Sequence, residues 1–94
     1  MYKLSNLAAE DFARIYEYTL NNFGVEQADL YTDNIEKCFN SLFLTPFMDR
    51  DNSDVKAGIR RHDHGQHAIF YQVKVDYIFV VRILHQQMNP VLHL

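Results

Sequence analysis

The side chains best suited to catalysis or binding in this chain of 94 residues are arginines, histidines and a tyrosine in its second half. The residues concerned are Arg60, His67, Tyr71, Arg82 and His85. The arginines could hold a phosphate while the tyrosine or a histidine moves protons, and these are the parts of a phosphodiester-cleaving site. Sheet faces also carry such side chains without catalysis, so the residues alone leave a structural interpretation open.

Arg82 lies inside the apolar stretch Tyr77–His85, which is typical of a buried strand. Strand alternation predicts two faces, one with Ile78, Val80, Arg82 and Leu84 and the other with Phe79, Val81, Ile83 and His85. Both faces are apolar, so we expect a central strand with helices on one side only. An unpaired buried charge would cost about 3–5 kcal/mol. Arg82 should therefore pair with a carboxylate of the sheet or loop, or contact an anion or partner on the open face.

The consecutive Arg60 and Arg61 point to opposite faces of their predicted strand, so only one of them can share a face with Arg82. His67 and Tyr71 are an even number of positions apart on the next strand and should share a face. All of these residues are candidates for contact with a target.

Metal-binding patterns are weak. His62, His64 and His67 spell H-x-H-x-x-H across a predicted hairpin, but no cysteine or carboxylate pattern beside them supports zinc. The acidic stretch 49–60 lacks the glycine and glutamate that a calcium loop requires, so we interpret it as a solvated loop. We expect no cofactor and interpret Cys38 as a small buried apolar residue.

Two helices are predicted in the first half of the chain. Tyr2–Leu4 reads as a short strand, after which apolar residues recur at spacings of three and four on either side of Gly24. The glycine can take the left-handed conformation that ends a helix, and Pro46 stops the second helix. The short link makes the two helices a hairpin.

Three strands are predicted in the second half, after a polar loop over residues 48–58. They are Ile59–His64, His67–Val73 and Tyr77–His85, with a tight type II′ turn at Gly65 and Gln66. Beyond them, Met88, Val91 and Leu92 are expected to pack. Together, these helices and strands predict a single α+β domain over residues 1–94. It has two layers and consists of an N-terminal strand, a helical hairpin and a three-stranded antiparallel meander.

Charge is divided between the two halves. Residues 6–45 carry seven acidic and two basic side chains, whereas residues 55–94 carry two acidic and five basic ones and all five histidines. The net charge of −3 does not suit a protein held on a bare nucleic-acid backbone, so we expect no direct nucleic-acid binding. No secretion signal or membrane-spanning stretch is evident, and the lone cysteine suits the cytoplasm.

Several stretches, taken in order, resemble the RelE/ParE toxin superfamily and specifically its ParE branch. They are "AAEDFARIYEYTLNNFGVEQADLY", "LFLTP", "GIRRHDHGQHAIFYQV" and "IFVVRILHQQMN". The positions that match by place in these motifs are Arg60, His67, Phe70, Tyr71, Arg82, His85 and Met88. Two positions depart from the family pattern, because Asp49 stands where a glycine is frequent and His62 where an aromatic residue is usual.

The resemblance implies the toxin of a type II toxin–antitoxin pair. A ParE-like toxin would bind and poison DNA gyrase without catalysis and be neutralised in a hetero-oligomer with a ParD-like antitoxin. The alternative is a RelE-like, ribosome-dependent mRNA endoribonuclease, for which Arg60, Tyr71, Arg82 and His85 would be the catalytic set. A structural or adaptor domain is a third interpretation. The net acidity favours the gyrase interpretation, since a ribosome-bound nuclease calls for a basic surface.

Overall fold

Two helices and five strands make up the residues that the computed structural model describes, which are 1–47, 50–51 and 56–94. The elements are β1 (Tyr2–Leu4), α1 (Asn6–Phe23), α2 (Val25–Leu44), β2 (Arg50–Asp51), β3 (Arg60–His64), β4 (His67–Val73) and β5 (Ile78–His85). A 3₁₀ turn follows at Pro90–Leu92. The predicted α+β architecture, with a helical hairpin between a first strand and an antiparallel meander, is confirmed.

The helical hairpin begins at a cap that also attaches it to the sheet. The Ser5 hydroxyl accepts a hydrogen bond from the Ala8 amide at 3.0 Å and donates one to the Val81 carbonyl at 2.6 Å. Gly24, at φ 93°, ends α1 and starts α2. No helix among the described residues is long and apolar enough to cross a membrane.

The sheet has the order β1-β5-β4-β3-β2, with β1 parallel to β5 and the other neighbours antiparallel. The strand β2 was not predicted, because its two residues lie in the stretch interpreted as a polar loop. Arg50 and Asp51 pair with Arg61 and Arg60 and extend the sheet beyond β3. Residues 49 and 52–55 of the rejected calcium-loop stretch lie outside those described.

Two groups of buried side chains pack on opposite faces of the sheet. The helix-face core joins the helices to β4 and β5 and includes Ile15, Ile35, Phe39, Ile69 and Tyr71. The far-face cluster consists of Ile59, Ala68, Phe70 and Leu84. Alternation along β4 separates the two groups, because Ile69 and Tyr71 point to the helices while Ala68 and Phe70 point away.

The expectation of an open sheet face is wrong at the centre of the sheet. All four residues of the far-face cluster are at most 2% exposed, and Leu94 packs against them. The guanidinium of Arg61 lies 5.5 Å from the ring centre of Phe70 on the same side. Two of the residues expected to pack beyond β5 are instead largely accessible to solvent, since Val91 and Leu92 are 67% and 77% exposed.

The predicted faces of β5 are wrong after Val80. Tyr71 pairs with Val80 but Phe70 pairs with Arg82, so Val81 is an extra residue that forms a β-bulge. The bulge shifts the alternation by one position. Ile83 therefore joins Val80 in the helix-face core, and Leu84 joins the far-face cluster.

Candidate functional site

A groove of about 950 Å³ opens beside the part of β5 that extends past β1. Since β1 ends opposite Val80, α1 replaces a strand as the neighbour of the last residues of β5. The groove is lined by Asp11, Arg14, Ile15, Tyr18, Thr19, Phe23, Gln27, Tyr31, Gln66, His67, Arg82, Ile83, Leu84, His85, Met88 and His93. Of the candidates from sequence, it brings together His67, Arg82, His85 and Met88.

An ion pair between Asp11 and Arg82 lies in this groove. The Nε and Nη2 atoms of Arg82 donate to the two carboxylate oxygens of Asp11 at 2.7 and 2.9 Å, and Nη1 donates to the His93 carbonyl at 3.0 Å. The Asp11 carboxylate also accepts the Ile83 amide at 3.0 Å. The side chains of Asp11 and Arg82 are 7% and 13% exposed, and the hydrogen bond to Asp11 raises the pKa of Arg82.

The predicted ion pair of Arg82 therefore forms, but the carboxylate comes from α1 and not from the sheet or loop. The sequence analysis missed Asp11, although the spacing contained a signal. Asp11 recurs with Ala8, Ile15 and Thr19 at intervals of three and four, and these four residues are the buried ones of α1. An acidic residue in an apolar helical stripe requires a buried partner.

A second polar contact joins α2 to the turn between β3 and β4. The Tyr31 hydroxyl accepts the Gln66 amide at 3.2 Å and lies 2.6 Å from Nδ1 of His67. Burial, together with nearby His85 and His64, lowers the pKa of His67 to about 4 against a smaller opposite effect of Asp11. Donation of a hydrogen bond from the Tyr31 hydroxyl to Nδ1 requires the neutral tautomer of His67 that carries its proton on Nε2. The helical periodicity of this stretch gave no sign of the contact.

The remaining groove wall is partly apolar and accessible. Tyr18, Phe23 and Met88 are 64%, 67% and 39% exposed. His85 is half-buried, its ring centre is 5.7 Å from that of His67, and its Nδ1 accepts the Gln87 amide. Large apolar side chains beside polar groups are the usual composition of a protein-binding surface.

Arg60 and Tyr71 lie elsewhere, in a region that we call the loop end, formed with Pro46 and Phe47. Tyr71 is fully buried, and its hydroxyl donates to the Pro46 carbonyl at 2.9 Å. Arg60 donates to the Phe47 carbonyl at 3.1 Å, and its guanidinium lies 5.3 Å from the ring centre of Phe47. Neither residue lines the groove that contains Arg82 and His85.

The other candidates are divided between the faces of β3. Arg61 points to the far face, where its Nε donates to Asp63 at 2.7 Å. His64 points to the helices, with its Nδ1 3.1 Å from the Cys38 sulfur, and burial together with His62 lowers its pKa. Within residues 1–47 and 56–94, no three His, Cys, Asp or Glu side chains are arranged to hold a metal ion.

This arrangement suits recognition better than bond cleavage. The guanidinium of Arg82 is already engaged by Asp11 and His93, and the hydroxyl of Tyr71 is buried away from the groove. A phosphate-holding group and a proton-transferring group must meet at one reacting atom. The groove instead offers apolar surface with imidazole side chains and a fixed ion pair at its wall.

Comparison with known proteins gives a consistent family assignment. A family model described as the ParE toxin of the type II toxin–antitoxin system parDE matches residues 2–90. Toxin ParE1 of Caulobacter vibrioides is 36% identical over 93 residues, covering 99% of this chain and 96% of that protein. Toxin ParE1 of Mycobacterium tuberculosis is 32% identical over 89 residues, covering 94% and 91%.

A solved structure supports the fold. One chain of the chromosomal ParDE TA system from P. aeruginosa superposes with a TM-score of 0.74. The match covers 89% of this chain and 92% of the other, at 23% sequence identity. At this identity the likeness establishes the fold alone.

Proposed function

The chain belongs to the ParE toxin family of type II toxin–antitoxin systems, and from this premise we propose that it inhibits DNA gyrase by binding it in the cytoplasm. It acts on gyrase through protein–protein contact and carries out no bond-breaking chemistry of its own. A ParD-like antitoxin neutralises it in a hetero-oligomer.

One observation carries the non-catalytic part of the proposal. The four side chains that a ribonuclease would use have separate partners, with Arg82 paired to Asp11 and Tyr71 bonded to Pro46 inside the core. Arg60 is held at Phe47, and His85 lines the groove with its Nδ1 accepting the Gln87 amide. The net charge of −3 is also unfavourable for binding to ribosomal RNA.

The groove is the surface that we assign to the partners. His85 and Met88, with Tyr18 and Phe23 of α1, offer one continuous lining of apolar and imidazole groups. An amphipathic antitoxin segment can bury its apolar side chains there. Gyrase uses the same surface in this proposal, so the antitoxin neutralises the toxin by occupying it.

Charge on the outer face of the helical hairpin supports a basic antitoxin. The exposed acidic side chains of α1 and α2 are Glu10, Glu17, Glu26, Asp29, Asp33 and Glu36. Lysines and arginines flanking the apolar segment would face this surface, which speeds association and selects the partner. The groove and the acidic face together describe a segment that is apolar in its middle and basic at its flanks.

The test is a supercoiling and DNA-cleavage assay with purified gyrase, with and without the purified chain. We expect supercoiling to fall and cleaved DNA to accumulate, and addition of the antitoxin encoded beside the gene to reverse both. Unchanged gyrase activity together with mRNA cleavage in a translating extract would instead establish the ribonuclease interpretation.

A further inference from the structure

Arg82 connects elements on both faces of the sheet through three nitrogen atoms. Two of them bond to Asp11 of α1, on the helix side, and the third donates to the carbonyl of His93. His93 precedes Leu94, which packs against the far-face cluster. A single guanidinium therefore touches the groove and the segment that covers the opposite face.

The segment of residues 89–94 is held together by internal hydrogen bonds. The Asn89 side chain accepts the Val91 amide at 3.0 Å, and the Leu94 amide donates to the Pro90 carbonyl at 2.9 Å. Val91 and Leu92 are largely exposed. Among the described residues, the bond from Arg82 and the packing of Leu94 tie this segment to the sheet.

We propose that the Asp11–Arg82 pair holds residues 89–94 against the far face, so that the position of this segment depends on what occupies the groove. The two bonds to Asp11 fix the plane of the guanidinium, and this aims Nη1 at the His93 carbonyl. Without the carboxylate the long Arg82 side chain can turn to solvent, and the bond to His93 is lost. Arg82 is therefore a positioning residue for the segment.

The coupling must act in both directions. If the ion pair stabilises the docked segment, then docking stabilises the ion pair by the same amount. A partner group in the groove that competes for Asp11 or Arg82 would loosen residues 89–94 and weaken the packing of Leu94 on the far-face cluster. The inference holds whether or not the partner is gyrase, because it concerns contacts within the free chain.

Backbone order parameters from ¹⁵N relaxation test the proposal on the purified full chain. In the unaltered protein we expect values of about 0.8 for the amides of Leu92, His93 and Leu94, and in Asp11→Asn values below about 0.6. Glu10→Gln is the matched control, because Glu10 is the preceding acidic residue of α1 and its ion pair with Arg14 is exposed. The control should leave the three amides unchanged.

A second variant approaches the coupling from the other side. Leu94→Ala weakens the packing on the far face without touching the ion pair, and we expect the Nε–H of Arg82 to exchange with solvent about tenfold faster. This arm decides the matter if Asp11→Asn does not fold. Segment amides as ordered in Asp11→Asn as in the unaltered chain would overturn the proposal, and so would unchanged Arg82 exchange in Leu94→Ala.

Discussion

The groove and the loop end each contain an arginine and a tyrosine. The two regions differ in what these side chains bond to and in how accessible the surface beside them is. At the loop end, Tyr71 and Arg60 donate to the backbone carbonyls of Pro46 and Phe47. These contacts fasten the residues after α2 to the sheet. At the groove, Arg82 and Tyr31 bond to the side chains of Asp11 and His67 in addition to backbone groups, and the surface beside them stays accessible.

The difference shows that residue type does not decide which polar side chain is available to a partner. Both tyrosines belong to apolar patterns, but Tyr71 is fully buried whereas Tyr31 is half-buried at the groove wall. The accessible site exists because β1 is short and leaves the end of β5 beside a helix. Amino-acid substitutions can therefore test partner recognition at the groove independently of the structural contacts at the loop end.

The largest expected effect is the loss of the groove ion pair. Asp11→Ala leaves Arg82 and the Ile83 amide without their acceptor in a nearly buried position. The free energy of unfolding should fall by about 3–5 kcal/mol, measured by urea titration. In Glu10→Ala the lost pair is more than 60% exposed on both sides, and the change should stay below about 1 kcal/mol. Equal effects of the two variants would show that the groove pair is as dispensable as a surface pair.

The ion pair also marks the limit of prediction from the sequence. Periodicity and Gly24 were enough to define both helices, and alternation identified β4 and placed His67 and Tyr71 on one of its faces. The bulge at Val81 could not be predicted, because a bulge depends on pairing with β4 and not on the local sequence. The partner of Arg82 lies 71 positions away in the chain. The burial of the far face likewise depends on the path of residues 89–94.

A smaller loss is expected at the turn that closes the groove. Gly65 has φ 55°, and an added Cβ would lie 2.8 Å from the Tyr31 hydroxyl oxygen. Gly65→Ala should therefore lower the free energy of unfolding by about 2–4 kcal/mol through backbone strain and this close contact. Gly58→Ala supplies the control, because its φ is 76° but nothing lies within 4 Å. The control should lose about 1–2 kcal/mol. A double variant with Tyr31→Phe should recover part of the difference.

Substitutions in the groove and at the loop end should differ in their effect on partner affinity. Met88 at the groove and Phe47 at the loop end are both exposed apolar side chains. We expect Met88→Ala to weaken the complex with the antitoxin about tenfold by calorimetry, while Phe47→Ala stays within about twofold. Gyrase inhibition should follow the same order, because both partners are assigned to the groove. The reverse order would move the recognition surface to the loop end.

A pH dependence of stability is also expected at the groove. The pKa of His67 is about 4 in the folded chain, below the ordinary value of about 6.5. The unfolded chain therefore binds more protons, so stability should fall as the pH decreases from about 6.5 to about 4 and should be independent of this residue above about pH 7. His67→Gln should lose less stability over this interval in urea titrations. Equal losses, or an NMR titration of His67 near its ordinary pKa, would contradict the buried neutral ring.

The most direct test of the central claim is NMR cross-saturation of the ¹⁵N-labelled chain in complex with the antitoxin encoded beside its gene. The claim is that recognition takes place at the groove, and saturation should therefore reach the amides of Tyr18, His85 and Met88. Arg60 and Phe47 at the loop end should remain unaffected. Saturation centred on the loop end, with the groove amides unaffected, would contradict the account.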